Sequence, residues 1–274
     1  MICRWNDLLA VLPEWMVHDI DRYGKDDLQE VRMRLNASTE LIMKGGSRWI
    51  NRKVLQKDIE HCLNCACEYS PWAASTIAKG YITVKGGHRI GICGEATYIN
   101  GAITGIKNVS SLCIRIARDF PGISQYCFPI EGSVLVLGGP GNGKTTLLRD
   151  LCRRISEHST VAVVDEREEL FPEGIQRGRK MDVLTGIRKY EGIEMMLRTM
   201  GPAYIAVDEI TNSQDCASLL EANGCGVRLL ATAHAGSLED YRRRKPYTPL
   251  VEQKVFQTVI LLSRDKSYRM EKLI

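Results

Sequence analysis

The sequence has no long apolar run, and no stretch of it approaches the roughly 18 residues that a membrane-spanning helix needs. Residues 1–6 carry neither the apolar core nor the small-residue cleavage site of a secretory signal. We therefore expect a cytoplasmic protein, whose contacts with a membrane are peripheral and made through partners.

The sequence also lacks a strong charge bias and the usual marks of a nucleic-acid or zinc-binding protein. Its net charge is only +4 in 274 residues, and its basic residues are not interleaved with the aromatics that stack on bases. The ten cysteines are scattered, as reduced thiols of a cytosolic protein are. Cys62, Cys65 and Cys67 have no second ligand pair downstream, so we do not expect zinc.

A glycine-rich turn at residues 138–143 joins a predicted buried strand to a predicted helix. The spacing Gly138-x-x-x-x-Gly143-Lys144-Thr145 fits a phosphate-binding loop, in which backbone N–H groups and the helix N-terminus surround a phosphate. Lys144 would reach the β- and γ-phosphates, and the Thr145 hydroxyl would ligate Mg²⁺. The predicted nucleotide contacts, for ATP with Mg²⁺, are Gly138, Gly139, Pro140, Gly141, Asn142, Gly143, Lys144, Thr145 and Thr146.

Polar side chains follow each of the short apolar strands predicted after residue 133. The strand that precedes the loop is the first of four, and the other three lead into Asp165-Glu166, Asp208-Glu209 and Thr232-Ala-His234. Short apolar strands that alternate with helices are typical of a parallel sheet covered on both faces. Because ligands bind outside the carboxyl ends of such strands, we expect one site at this edge.

The acidic pairs and the histidine have separate predicted roles. Asp208 would hold Mg²⁺ together with Thr145, and Glu209 would orient and deprotonate a water that faces the γ-phosphate. Asp165 or Glu166 would assist in positioning the metal or the water, and His234 would sense the γ-phosphate. Hydrolysis also needs an arginine, in cis or from a neighbouring subunit. The sequence does not choose among Arg89, Arg115, Arg118, Arg179 and Arg198.

The fold class that follows is an α/β parallel-sheet domain of the P-loop NTPase type (RecA/AAA-like), preceded by a smaller α+β domain. We predict the α+β domain at residues 1–122, a linker at 123–132 and the ATPase domain at 133–274. A helical stripe over residues 5–23 should be bent or split at Pro13, and alternating residues at 29–35 and 111–117 predict strands.

The order of these motifs resembles the secretion ATPases of type II and type IV systems, where they are called Walker A, Asp box, Walker B and His box. More closely, the chain resembles the stage III sporulation protein AA family over nearly its whole length. The residues that carry this likeness are 80–94, Arg179 with Asp182 and Leu184, and 198–202.

The resemblance implies an ATPase of the mother cell that forms a hexameric ring. It would dock on the cytoplasmic side of the membrane channel that the other proteins of its operon build towards the forespore. Two positions depart from the family pattern. Thr211-Asn212 stand where a Gly-Arg pair is usual, and Lys180 stands in place of a threonine.

Three functions are consistent with the residues. The first is a Mg²⁺-dependent ATPase that energises assembly of, or transport through, a membrane channel. The second is a nucleic-acid-dependent ATPase, which the absence of interleaved aromatics disfavours. The third is an ATP-gated scaffold with little turnover, which the missing Gly-Arg pair keeps open.

Overall fold

The computed structural model describes residues 1–67, 77–78 and 80–273. The chain divides into two compact units, each with its own sheet and core. The first comprises Met1–Asp119 with Pro172–Ile175, and the second comprises Phe120–Phe171 with Gln176–Ile274. The domain limits and the linker expected from the sequence stay predictions.

The first unit has a six-stranded sheet whose paired strands are antiparallel. Its spatial order is β3-β2-β1-β6-β5-β4. The strands are β1 Leu28–Arg34, β2 Ser38–Met43, β3 Gly46–Lys53, β4 Tyr81–Thr83, β5 Arg89–Ile99 and β6 Ala102–Arg115. The α-helices described in this unit are α1 Trp5–Leu9, α2 Glu14–Tyr23 and α3 Gln56–Cys67.

The predicted split at Pro13 is confirmed, because Pro13 lies between α1 and α2 and is the N-cap residue of α2. Leu8, Met16 and Ile20 on these helices are fully buried in the core of the first unit. The strand expected at 111–117 is the last part of β6, which begins earlier, at Ala102, and ends at Arg115, two residues before the expected end. The first half of β6 is mostly exposed, so its sequence lacks the alternation that marks a half-buried strand.

The second unit has a seven-stranded sheet in the order β13-β12-β7-β11-β10-β8-β9. All neighbouring strands are parallel except β12 and β13, which are antiparallel. The strands are β7 Val134–Gly138, β8 Val161–Asp165, β9 Met181–Thr185, β10 Tyr204–Val207, β11 Arg228–His234, β12 Thr258–Leu262 and β13 Tyr268–Lys272. The helices are α4 Lys144–Ser156, α5 Lys189–Met200, α6 Ser213–Gly224, α7 Leu238–Arg243 and α8 Thr248–Glu252.

The predicted parallel sheet is confirmed, and β7, β8, β10 and β11 are the four strands expected from the sequence. Strands β9, β12 and β13 were not predicted. Among the described residues, no helix is both long enough and apolar enough to span a bilayer.

The strand order decides where the site can form. Strand β7 lies between β11 and β12, and its last residue, Gly138, is in register with His234 and with Leu262. Strand β10 lies between β11 and β8. Because these strands are parallel, the residues that follow β7, β8, β10 and β11 meet at one edge of the sheet.

Candidate functional site

The glycine-rich loop needs glycine at two positions. Gly141 and Gly143 have φ angles of +71° and +99°, where a side chain would strain the backbone. Gly143 is the N-cap residue of α4, so the loop leads directly into a helix N-terminus. The Lys144 Nζ atom folds back and donates to the Gly139 carbonyl at 3.0 Å. The loop therefore holds its lysine at the carboxyl edge of the sheet.

Lys144, His234 and Glu209 form one line of contacts. The Lys144 Nζ atom lies 3.0 Å from His234 Nδ1, and His234 Nε2 lies 3.3 Å from Glu209 Oε1. An ammonium can only donate, so Nδ1 accepts and the imidazole proton resides on Nε2, facing the carboxylate. Burial lowers the pKa of Lys144, and the charges of Asp208 and Glu209 oppose this shift.

Thr145, Asp208 and Thr232 form a second set of contacts beside the first. The Thr145 hydroxyl donates to Asp208 Oδ2 at 2.8 Å, and the Thr232 hydroxyl donates to Asp208 Oδ1 at 2.7 Å. Thr232 Oγ1 also accepts the backbone N–H of Glu209 at 2.8 Å. Glu209 has a φ of +46°, which is uncommon for a residue with a side chain. Thr232 thus holds both the Asp208 carboxylate and the strained turn at Glu209.

The Thr145 hydroxyl and the Asp208 carboxylate fit Mg²⁺ as hard oxygen ligands. Magnesium is usually held by one or two protein groups, substrate phosphates and water, and not by a full protein cage. The described residues contain no group of three or more His, Cys, Asp or Glu side chains arranged to hold a metal.

Asp165 lies at the end of β8 and is buried, with 1% of its surface exposed. Its carboxylate accepts three backbone N–H groups of the loop that follows, from Glu169 at 2.8 Å, Leu170 at 2.9 Å and Phe171 at 2.8 Å. Burial raises the pKa of Asp165 to about 6, although these hydrogen bonds oppose the shift. The carboxylate therefore anchors its own loop, and its catalytic role stays a prediction.

Two cations that the sequence analysis did not single out face this edge. Lys189 Nζ donates to Glu166 Oε2 at 2.6 Å, and Arg167 NH1 lies 3.5 Å from Glu209 Oε2. Arg167 directly follows the predicted Asp165-Glu166 pair, and this position in the sequence could have indicated that Arg167 belongs to the site. Nothing in the sequence marked Lys189. A small pocket here is lined by Asp165, Glu166, Arg167, Glu169, Lys189, Asp208 and Glu209.

The other residues of the predicted loop lie between β7 and α4. Asn142 Nδ2 donates to the Leu262 carbonyl at 2.9 Å, which ties the loop to the end of β12. The Lys266 ammonium donates to the Gly141 carbonyl. Pro140 is exposed, and Thr146 is half-buried in the first turn of α4.

The arginines proposed from the sequence have contacts of their own. Arg198 pairs with Glu194 one turn away on α5, at 2.6 Å. In the first unit, Arg115 lies 3.4 Å from Glu30, and Arg118 donates to the carbonyl of Lys25 at 2.8 Å. Arg89 lies over the Tyr81 ring at 3.8 Å, and Arg179 is exposed. Among the described contacts, the guanidinium that lies near Glu209 is that of Arg167.

Solved structures of secretion ATPases share this fold. The Legionella pneumophila ATPase DotB is 16% identical, with a TM-score of 0.59 over 94% of this chain and 79% of that one. The pilus retraction motor PilT is 13% identical, with a TM-score of 0.64 over 91% of this chain and 78% of that one. The chain therefore has the fold of the P-loop secretion ATPases.

Sequence comparison narrows this class to one family. The family model described as "Sporulation stage III, protein AA" matches residues 8–271. Stage III sporulation protein AA of Bacillus subtilis (strain 168) is 35% identical over 95% of this chain and 92% of its own length. The chain belongs to the stage III sporulation protein AA family.

Proposed function

We propose that this protein is a Mg²⁺-dependent ATPase. The observation that carries the proposal is the continuous set of contacts at the carboxyl edge of the second sheet. It runs from Lys144 through His234 to Glu209, and from Thr145 to Asp208. A structural role for these groups would not require a glycine-rich loop, a pair of oxygen ligands suited to Mg²⁺ and the Glu209 carboxylate at one place.

Residues 138–146 bind the triphosphate in this proposal. The backbone N–H groups of the loop and the N-terminus of α4 surround the phosphates, and Lys144 contacts the β- and γ-phosphates. Thr145 and Asp208 hold Mg²⁺, which supplies positive charge to the phosphate oxygens when it is bound.

Glu209 acts as the general base on the attacking water. Its carboxylate is directed by the His234 Nε2–H group on one oxygen and by Arg167 on the other. A carboxylate one residue beyond the metal-binding aspartate suits hydrolysis, because it accepts the proton of a water in line with the γ-phosphate. Arg167, whose NH1 atom lies 3.5 Å from Glu209 Oε2, orients the carboxylate in this proposal.

In the cell, we propose that hydrolysis energises the assembly of, or transport through, a membrane channel between the mother cell and the forespore. The sporulation family and the secretion-ATPase fold support this role. The protein would work as a homo-oligomer, with a hexameric ring as the expected form. It would be cytoplasmic and would reach the mother-cell membrane through the channel proteins of its operon, with no nucleic-acid partner.

The test is steady-state ATP hydrolysis together with nucleotide binding. We expect Lys144→Ala to abolish binding, and Glu209→Gln to keep binding while turnover falls at least about 100-fold, the usual contribution of a general base. Glu239→Gln, at an exposed position, is the matched control. Undiminished hydrolysis by Glu209→Gln contradicts the assignment of the base.

The same assay separates the other two functions. Tight ATP binding by the wild-type protein without turnover at any concentration indicates an ATP-gated scaffold. Hydrolysis that depends on added single-stranded DNA indicates a nucleic-acid-dependent ATPase.

A further inference from the structure

We propose that Lys189 is a positioning residue that holds Glu209 from both sides, through the segment after β8 and the segment after β10. The inference rests on the proposed ATP hydrolysis. It assigns a role to a buried cation that does not itself contact Glu209 in the described contacts.

Lys189 is in an unusual place for a lysine. It is 5% exposed, whereas lysine is almost never buried unless it is paired. It is also the first residue of α5, where the helix dipole disfavours a positive charge. Burial and the dipole both act against the ammonium, so its carboxylate partners must offset both.

The first contact of Lys189 leads to one face of Glu209. The Lys189 Nζ atom donates to Glu166 Oε2 at 2.6 Å. The next residue, Arg167, places NH1 at 3.5 Å from Glu209 Oε2. Because Glu166 and Arg167 are adjacent, the position of the Glu166 side chain limits where the Arg167 guanidinium can reach.

The second contact of Lys189 leads to the backbone after Glu209. The Lys189 Nζ atom lies 3.9 Å from Asp215 Oδ2, and the Asp215 side chain is also buried. The same oxygen accepts the Thr211 backbone N–H and the Thr211 hydroxyl, each at 2.9 Å. Thr211 is two residues beyond Glu209, so Asp215 holds the chain directly after the strained turn.

Lys189 is the shared partner of these two carboxylates. Without its ammonium, Glu166 and Asp215 would repel each other across the space that the lysine side chain fills, and the buried Asp215 carboxylate has little water beside it to screen this repulsion. The two segments would then separate, and Glu209 would lose both its guanidinium neighbour and its supported backbone. A displacement of about 1 Å at a reacting group can cost about 100-fold in rate.

The first experiment compares Lys189→Met, Lys189→Arg and the exposed control Lys245→Met. We expect Lys189→Met to lower kcat about 10- to 100-fold while the dissociation constant for ATP changes less than about threefold. Lys189→Arg retains the charge and should recover most of kcat. Loss of kcat that Lys189→Arg does not recover, or equal losses of kcat and ATP affinity, would overturn the positioning role.

The second experiment needs no activity. Amide hydrogen exchange should become faster in both segments 165–171 and 208–215 in Lys189→Met, and stay unchanged in Lys245→Met. Exchange that rises in neither segment contradicts the inference, even if the wild-type protein hydrolyses ATP. Conversely, absence of hydrolysis with the expected exchange result would refute the proposed function and leave the link through Lys189 supported.

Glu166→Gln and Asp215→Asn each weaken one of the two contacts, and they keep the inference testable if Lys189→Met does not fold. We expect Glu166→Gln to raise exchange at 165–171 and Asp215→Asn to raise it at 208–215. In the Lys189→Met background each of these changes should have a smaller effect, because the contact is already lost. Fully additive effects would show that the three side chains act independently.

Discussion

His88 shows at the scale of one residue how burial makes a side chain sensitive to pH. The ring is fully buried, Nδ1 accepts the Ala117 N–H at 3.1 Å, and Nε2 lies 3.0 Å from the Arg4 carbonyl oxygen. Nδ1 is the acceptor, so the neutral ring carries its proton on Nε2 and donates it to Arg4. Burial, the largest cause, lowers the pKa of His88 below its ordinary value.

The first unit should therefore lose stability in mild acid. The unfolded chain binds a proton at His88 below about pH 6.5, and the folded chain resists it, so stability falls as the pH decreases through this range. We expect a loss of about 1 kcal/mol per pH unit below pH 6.5, measured by urea unfolding. His88→Gln should be less stable than wild type at pH 7.5 yet show a smaller loss between pH 7.5 and 5.5. An unchanged slope would contradict this account.

At the scale of the secondary-structure element, helix α5 packs closely against strand β8. Gly192 is buried in α5, and a Cβ atom there would lie 2.5 Å from Val164 Cγ1 and 3.0 Å from Ile187 Cγ2. Gly192 has an ordinary helical backbone, so the requirement for glycine is one of space. Val164 directly precedes Asp165, and α5 begins with Lys189. The close packing thus determines how near the lysine lies to the edge of the sheet.

The substitution Gly192→Ala raises the helix propensity of α5 but also crowds its packing against β8. Alanine favours a helix over glycine by about 1 kcal/mol, whereas overpacking a core costs about 1–3 kcal/mol. We expect the clash to prevail and the midpoint of thermal unfolding to fall. Val164→Ala removes the closest of the clashing methyl groups, so the double variant Gly192→Ala/Val164→Ala should be more stable than the sum of the single effects. A thermal midpoint at or above that of wild type in Gly192→Ala would show that α5 can shift away.

Much of the second sheet is predictable from short patterns. Strands β7, β8, β10 and β11 are apolar runs that end in polar residues, and parallel strands bring such ends together. Strand β12, Thr258–Leu262, is also apolar, but a run of five residues does not distinguish a strand from a buried helix. The glycine spacing predicts a phosphate loop because the backbone requirement of such a loop is local.

Tertiary contacts determine the rest of the site. Lys189 is separated by 23 residues from Glu166, and no local rule pairs them. The part played by Thr232, whose hydroxyl accepts the Glu209 N–H, depends on the pairing of β10 with β11 across 24 residues of sequence. Asp165 has the sequence signature of a catalytic carboxylate, yet its three hydrogen bonds go to its own loop.

At the scale of the whole molecule, we expect self-association that depends on nucleotide. The mass in solution should rise from 30.8 kDa towards about six times that value when ATP and Mg²⁺ are added, as measured by light scattering across a range of concentrations. Lys144→Ala, which should not bind ATP, is the control that should not respond. A concentration-independent monomer in both conditions would contradict the ring.

The position of β7 between β11 and β12 has a consequence for protein synthesis. The glycine-rich loop after β7 is made before both neighbours of its strand, which are encoded some 90 to 130 residues later. While β12 is still inside the ribosome, the emerging chain cannot complete the sheet around β7. We therefore expect ATP binding to arise only after β12 has left the ribosome, and chains that terminate before β12 to be inert towards nucleotide.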